Sequence, residues 1–161
     1  MKFWDSSALV PLIVRQRASG RMRSLYRSDA GVLAWWGARV ECESAVSRLE
    51  REGRLRRRSA SAARGRLDRF AATWQEVQPT ELLRDHARRL LRVHDLRAAD
   101  AHQLAAGGAA AEGRPATLGF VCLDDRLAAA AEREGFPCSA QAPVSGPGRR
   151  RTRPPSSRSG P

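Results

Sequence analysis

Among the 17 acidic residues of this 161-residue chain, a few stand where chemistry could use them. Asp5 directly follows the aromatic run Lys2-Phe3-Trp4, and Asp124-Asp125 directly follows the uncharged run Leu118-Gly119-Phe120-Val121-Cys122-Leu123. Short apolar runs of this kind read as buried strands, and helix-forming sequence follows each acid. In an open α/β sheet the crevice beyond the carboxyl ends of the strands is where ligands bind, so a carboxylate at such a junction is a candidate reagent. Asp100 shares a helix face with Leu104, one turn on, and reads either as a site acid or as a helix cap. Glu41 and Glu43 flank the apolar stripe Cys42, Ala45, Val46 and Leu49 on opposite sides. Periodicity does not choose between them.

The elements that must hold these acids alternate. Ser6-Ser7 reads as the cap of a first helix running from Ser7 to about Arg17, and a polar connection from Ser19 to Asp29 leads to a strand over Val32–Trp36. Gly37 then opens a helix that stops at Gly53. Another amphipathic helix is predicted over Ser59–Thr73, a weak strand over Trp74–Gln78 and a helix over Thr80–His94. A fourth strand precedes Asp124, Arg126 to Glu134 forms a helix closed by Gly135, and Phe136 to Ala140 adds a fifth strand. The helix from Asp100 to about Glu112 contains Gly107-Gly108, which weakens it by about 1 kcal/mol per glycine relative to Ala. Alternation of this kind predicts an α/β fold, a three-layer α/β/α sandwich around a four- or five-stranded parallel sheet. It assigns residues 1–141 to one domain and 142–161, rich in Arg, Pro, Ser and Gly, to a disordered tail.

Composition narrows the partners. The formal charge is +12, and 28 of the 29 basic residues are Arg, which favours a polyanion such as nucleic acid or describes a solvated basic surface. Five of those Arg and no acid lie beyond residue 138, so 24 basic residues face 17 acids in the rest, a net +7. Cys42, Cys122 and Cys138 are odd in number and form no CxxC pair, which argues against a zinc site and for thiols in a reducing compartment. Asp5 and Pro11 interrupt the apolar N-terminal runs, and no stretch reaches the roughly 18 apolar residues of a membrane span. The expectation is a soluble, cytoplasmic protein with no membrane partner.

Four segments together carry a resemblance. Asp5-Ser6-Ser7-Ala8-Leu9, Val40-Glu41-x-x-Ser44-Ala45, Leu96-Arg97-Ala98-Ala99-Asp100-Ala101-x-x-Leu104-Ala105 and Phe120-Val121-Cys122-Leu123-Asp124-x-Arg126-Leu127 occur in the order and at the spacings of a PIN domain. The chain resembles the VapC-like toxin ribonucleases over about residues 1–138. That resemblance implies a catalytic, metal-holding quartet of Asp5, Glu41, Asp100 and Asp124, and it selects Glu41 over Glu43. It also gives Ser6 the place of the hydroxyl residue that follows the first acid. One departure is Cys122, where the family often has Ser or Thr, and a thiol is the poorer hydrogen-bond partner. Asp125 is a substitute outer ligand or a helix N-terminal charge. Gly107-Gly108 and the tail also depart from the usual pattern.

If the quartet converges, electrostatics asks for a cation. Two carboxylates about 4 Å apart repel by roughly 4 kcal/mol at an effective dielectric of 20, and a hard divalent ion with oxygen ligands removes that repulsion. Mg²⁺ is the expected cofactor, with Mn²⁺ a substitute. The resemblance then implies a metal-dependent endoribonuclease, the toxin of a toxin–antitoxin pair, with RNA as substrate, a cognate antitoxin as partner and a homodimer as assembly. Arg15, Arg17, Arg97 and Arg126 stand near the motif ends as candidate RNA contacts. His102, two residues after Asp100, points elsewhere on its helix, and His86 and His94 carry no motif. Two other readings remain: a catalytically impaired PIN-like nucleic-acid-binding or scaffold protein, and a phosphoaspartate receiver or phosphatase. The last is disfavoured, because no Lys beyond Lys2 is present to hold a phosphoryl group.

Overall fold

The strands are short, and the acids sit just past their ends. The computed structural model describes residues 1–139. It contains β1 (Lys2–Trp4), α1 (Ser6–Ile13), α2 (Ser19–Ser28), β2 (Val32–Trp35), α3 (Ala38–Arg51), α4 (Arg57–Ala71) and β3 (Gln75–Val77). Then come α5 (Glu81–Val93), α6 (Ala98–Ala110), a 3₁₀ turn at Pro115–Thr117, β4 (Gly119–Val121), α7 (Asp125–Arg133) and β5 (Cys138–Ser139). The sheet has the order β3-β2-β1-β4-β5, and every pairing is parallel. The chain runs outward from β1 through β2 to β3, then returns to the other side of β1 for β4 and β5. The reversal leaves a crevice beyond the ends of β1 and β4, the place where such sheets bind ligands.

Alternation along β1 builds the two faces of the sheet. Phe3 stacks on Phe120 with centroids 5.1 Å apart, and Phe120 meets Phe136 at 5.4 Å. Trp4 points the other way, edge-on to Tyr26 of α2, and that ring continues to Phe70 and Trp74. Helices α1 to α4 pack among themselves on one side, and α5, α6 and α7 on the other. The result is the three-layer α/β/α arrangement with five strands that alternation predicts. The edge strand β3 carries exposed Gln75 and Glu76, a polar rim against further pairing.

Several element ends differ from the sequence reading. The first helix stops at Ile13, short of Arg17, and Ser19–Ser28 is helix α2 where a connection was expected. Both differences share a cause. The Ser19 hydroxyl, almost fully buried, donates to Pro11 O at 2.7 Å and accepts from Gln16 N at 2.8 Å, while Arg66 Nε donates to Ile13 O at 2.7 Å. These bonds satisfy carbonyls at the end of α1 that another helical turn would otherwise have satisfied. Helix α2 then packs Met22, Leu25 and Tyr26 on the core, a stripe diluted in sequence by Arg21, Arg23 and Arg27. Helix α6 starts two residues earlier than predicted, at Ala98. The Gly107-Gly108 pair has a packing reason: a Cβ on Gly107 would lie 2.9 Å from the Phe120 ring, and one on Gly108 2.7 Å from the His86 ring. The two glycines let α6 lie flush between the sheet and α5. The predicted tail, 142–161, lies outside the described residues.

Candidate active site

Asp5 leaves the end of β1 with its backbone N–H still on the ladder, donating to Val121 O at 3.0 Å. It is the N-cap of α1, a role the sequence reading gave to Ser6-Ser7. Its Oδ2 accepts from Ser7 N at 2.9 Å and from the Ser7 hydroxyl. Ser7 Oγ in turn accepts from Leu123 N at 2.9 Å, so one hydroxyl ties the ends of β1 and β4 together. Ser6, singled out from sequence as the hydroxyl partner of the first acid, lines the adjacent cavity, and Ser7 is the residue that bonds Asp5.

Asp5 is 3% exposed. Burial pushes its pKa up to about 6 despite the two bonds from Ser7, and the nearby charge of Glu41 adds to the rise. Cys122 supplies weak support, its Sγ lying 3.6 Å from Asp5 Oδ2, 3.3 Å from Asp124 O and 3.3 Å from Asp124 N. Burial and the charge of Asp5 hold this thiol well above its ordinary range, so it is a neutral donor. Burial, with the charges of Glu41 and Asp5, likewise raises Cys42 to about 12.

The two acids that periodicity could not separate have different surroundings. Glu41 projects from the first turns of α3 toward α6, where Gln103 Nε2 donates to its Oε2 at 2.7 Å. Glu43 turns to α4 and is tied to Arg64 at 2.6 Å. Among the described residues neither Asp5 nor Glu41 takes part in an ion pair, so their mutual repulsion has no side-chain cation to relieve it.

Asp100 and Asp124 are occupied by their own helices. Asp124 Oδ1 accepts from Arg126 N at 2.9 Å and Leu127 N at 3.0 Å, capping α7. Asp100 Oδ2 accepts from Arg97 N at 3.2 Å at the start of α6. Asp125 is exposed in the first turn of α7. Among the described residues no three His, Cys, Asp or Glu side chains form a group that could hold a metal ion. The structure thus sets Glu41 near enough to Asp5 to raise its pKa and leaves Asp100 and Asp124 bonded at the starts of α6 and α7. Each cap uses one carboxylate oxygen. The Asp5–Glu41 pair fits a hard cation by its chemistry: both donors are oxygens, their charges repel, and Mg²⁺ commonly takes one or two carboxylates and fills its octahedron with water.

A cavity of about 480 Å³ opens beside the pair, lined among others by Ser6, Glu41, Ser44, Arg48 and Arg54. Glu41, Ser44, Ala45 and Arg48 follow i, i+3, i+4, i+7, so one stripe of α3 faces it. Sequence reasoning missed Arg48 and Arg54, and of the arginines it named, Arg15, Arg17, Arg97 and Arg126, none lines this cavity. It also missed Gln103, whose signal was a polar residue three positions after Asp100, directly before the apolar run Leu104-Ala105-Ala106. His102 is less exposed than a surface histidine: its ring stacks on Trp35 at 5.7 Å, and its Nδ1 donates to Ala98 O at 2.8 Å.

No family model and no curated protein matches the chain by sequence. Solved structures do match. Mycobacterium tuberculosis VapC20, described as a Sarcin-Ricin loop cleaving toxin, superposes with a TM-score of 0.61 at 23% identity, over 84% of this chain and 96% of that one. FitAcB from Neisseria gonorrhoeae superposes with a TM-score of 0.58 at 16% identity, over 86% of this chain and 96% of that one. With its strand order, its layers and the acids at the ends of β1 and β4, this chain has a VapC-like PIN fold.

Proposed function

We propose that this protein is a metal-dependent endoribonuclease, the toxin of a toxin–antitoxin pair. The observation that carries the reading is the buried Asp5 and the half-buried Glu41 that repels it at the crevice beyond β1 and β4, beside a cavity lined by Arg48 and Arg54. Asp5 and Glu41 would hold Mg²⁺ or Mn²⁺ directly, with Asp100 and Asp124 acting through water. A divalent cation there supplies charge stabilisation on the phosphate oxygens and a lower pKa for the attacking water. Arg48 and Arg54 engage the RNA backbone, an affinity that carries no sequence information and falls with salt. Glu41, steadied by Gln103, accepts a hydrogen bond from the attacking water and orients it toward phosphorus. Ser7 keeps the Asp5 carboxylate fixed during the reaction. The expected partners are RNA, a cognate antitoxin and a second copy of the chain. Among the described residues no helix is long and apolar enough to cross a membrane.

The second reading is a catalytically impaired PIN-like protein that binds nucleic acid without cutting it. Cys122 favours it, being a weak donor where a hydroxyl would hold Asp5 more firmly. One comparison separates the two. The protein and its Asp5→Asn variant are incubated with structured RNAs, a sarcin-ricin hairpin among them, with Mn²⁺ or Mg²⁺ and then with EDTA. The endoribonuclease reading expects cleavage by the unaltered protein alone, stopped by EDTA. Binding without cleavage by both proteins supports the scaffold, and equal cleavage in every arm rules out the metal-dependent site.

A further inference from the structure

Gln103 is 1% exposed and lies on α6 among the buried residues Ala101, Leu104, Ala105 and Ala106. Its Nε2 donates to Glu41 Oε2 at 2.7 Å, and because a carboxylate only accepts, the nitrogen end of the amide must face it. The other end is unmatched: among the described residues, Oε1 is buried with no hydrogen-bond partner. A buried, unpaired amide oxygen costs stability, whereas Leu or Met would fill the same volume without that cost. Packing therefore gives no reason for glutamine here. Its contact with Glu41 does.

We propose that Gln103 is a positioning residue that holds the Glu41 carboxylate beside Asp5, at a cost in stability that an apolar side chain would avoid. Asp100 lies three residues earlier on α6, so a single helix face presents one candidate acid and the clamp of another to the crevice. Outer partners of this kind fix the direction of a carboxylate, and their loss typically lowers metal affinity or activity about 10- to 100-fold. The inference rests on the endoribonuclease reading for its activity arm and on the metal site for its Mn²⁺ arm.

The test uses Gln103→Met, with Gln103→Leu as a second variant, each also in a Glu41→Ala background. Urea unfolding is expected to show a midpoint equal to or above that of the unaltered protein. Mn²⁺ affinity, measured by calorimetry, is expected to fall about tenfold. The kcat for RNA cleavage falls similarly with KM unchanged, and neither quantity falls further once Glu41 is absent. A clearly lower urea midpoint in both variants makes Gln103 a structural residue and overturns the proposal. So does undiminished Mn²⁺ affinity, or an equal loss in the Glu41→Ala background. If the unaltered protein cuts no RNA, the endoribonuclease reading fails by itself, and the urea and Mn²⁺ arms still decide the role of Gln103. Absence of any Mn²⁺ binding by the unaltered protein would sink both.

Discussion

At the scale of single residues, Asp5 is held in tension. Its pKa of about 6, against an ordinary 3.8, means that the folded chain binds the proton more tightly than the unfolded chain does. The stability this represents is fully present below pH 3.8 and is lost as pH rises through 6, a swing of roughly 3 kcal/mol at most. Asp5→Asn keeps a carbonyl for Ser7 and removes the charge, so its urea midpoint is expected to exceed that of the unaltered protein at pH 8. The advantage should vanish by pH 4, and parallel curves across that window would show that Asp5 carries no such cost. A divalent cation should relieve the same repulsion. At 100 times its dissociation constant it would add about 2.7 kcal/mol at pH 7.5 and little at pH 4, read as a shift in Tm. Ser7 matters because it serves both sides: Ser7→Ala removes a donor to Asp5 and strips Leu123 N of its acceptor, at an expected cost of about 1–3 kcal/mol.

At the scale of elements, the position of α6 decides whether Gln103 can reach α3. That helix sits close to the sheet because Gly107 offers no Cβ to the Phe120 ring, which is fully buried between Phe3 and Phe136 and has no room to retreat. Gly107→Ala gains about 1 kcal/mol of helix propensity but overpacks the core at about 1–3 kcal/mol, so net destabilisation and weaker Mn²⁺ binding are expected. Gly108→Ala faces the half-exposed His86 ring, a side chain that can rotate away, so its urea midpoint is expected to hold or rise. Equal effects at the two positions would mean that α6 is not seated on Phe120 as described. Asp124 caps the start of α7, and Asp100 in the first turn of α6 bonds back to Arg97 N, so the bonds that start these helices also fix where the two carboxylates lie.

At the scale of the whole molecule, charge and topology meet at the crevice. The net charge is +12, yet among the described residues the cavity beside the acids is lined by two arginines, Arg48 and Arg54. If these two contact phosphates of single-stranded RNA, replacing both by Ala should flatten the slope of log affinity against log salt by about 1.4. Deleting residues 142–161, with five Arg, should weaken binding at low salt while leaving metal-dependent cleavage intact. A truncated protein that no longer takes up metal would tie the tail to the site.

By itself the sequence determined the alternation of strands and helices, the parallel sheet and the places of Asp5 and Asp124, because each depends on local patterns: an apolar run, a capping acid, a helical stripe. Length and local chemistry also marked Gly53 and Gly135 as stops, and both adopt positive φ. The helical stripe of α2 was hidden, since Met22, Leu25 and Tyr26 are interspersed with Arg21, Arg23 and Arg27, whose charge outweighs them in a local average. Only the tertiary structure set Glu41 against Glu43 on physical grounds, because the difference lies in what α4 and α6 bring to each: Arg64 to one, Gln103 to the other. The same holds for Ser7 over Ser6, since the Ser7 hydroxyl also takes the Leu123 N–H, and for Arg48 and Arg54 at the cavity. Those are contacts between residues tens of positions apart in the chain, and no periodicity within one element encodes the partner another element will supply.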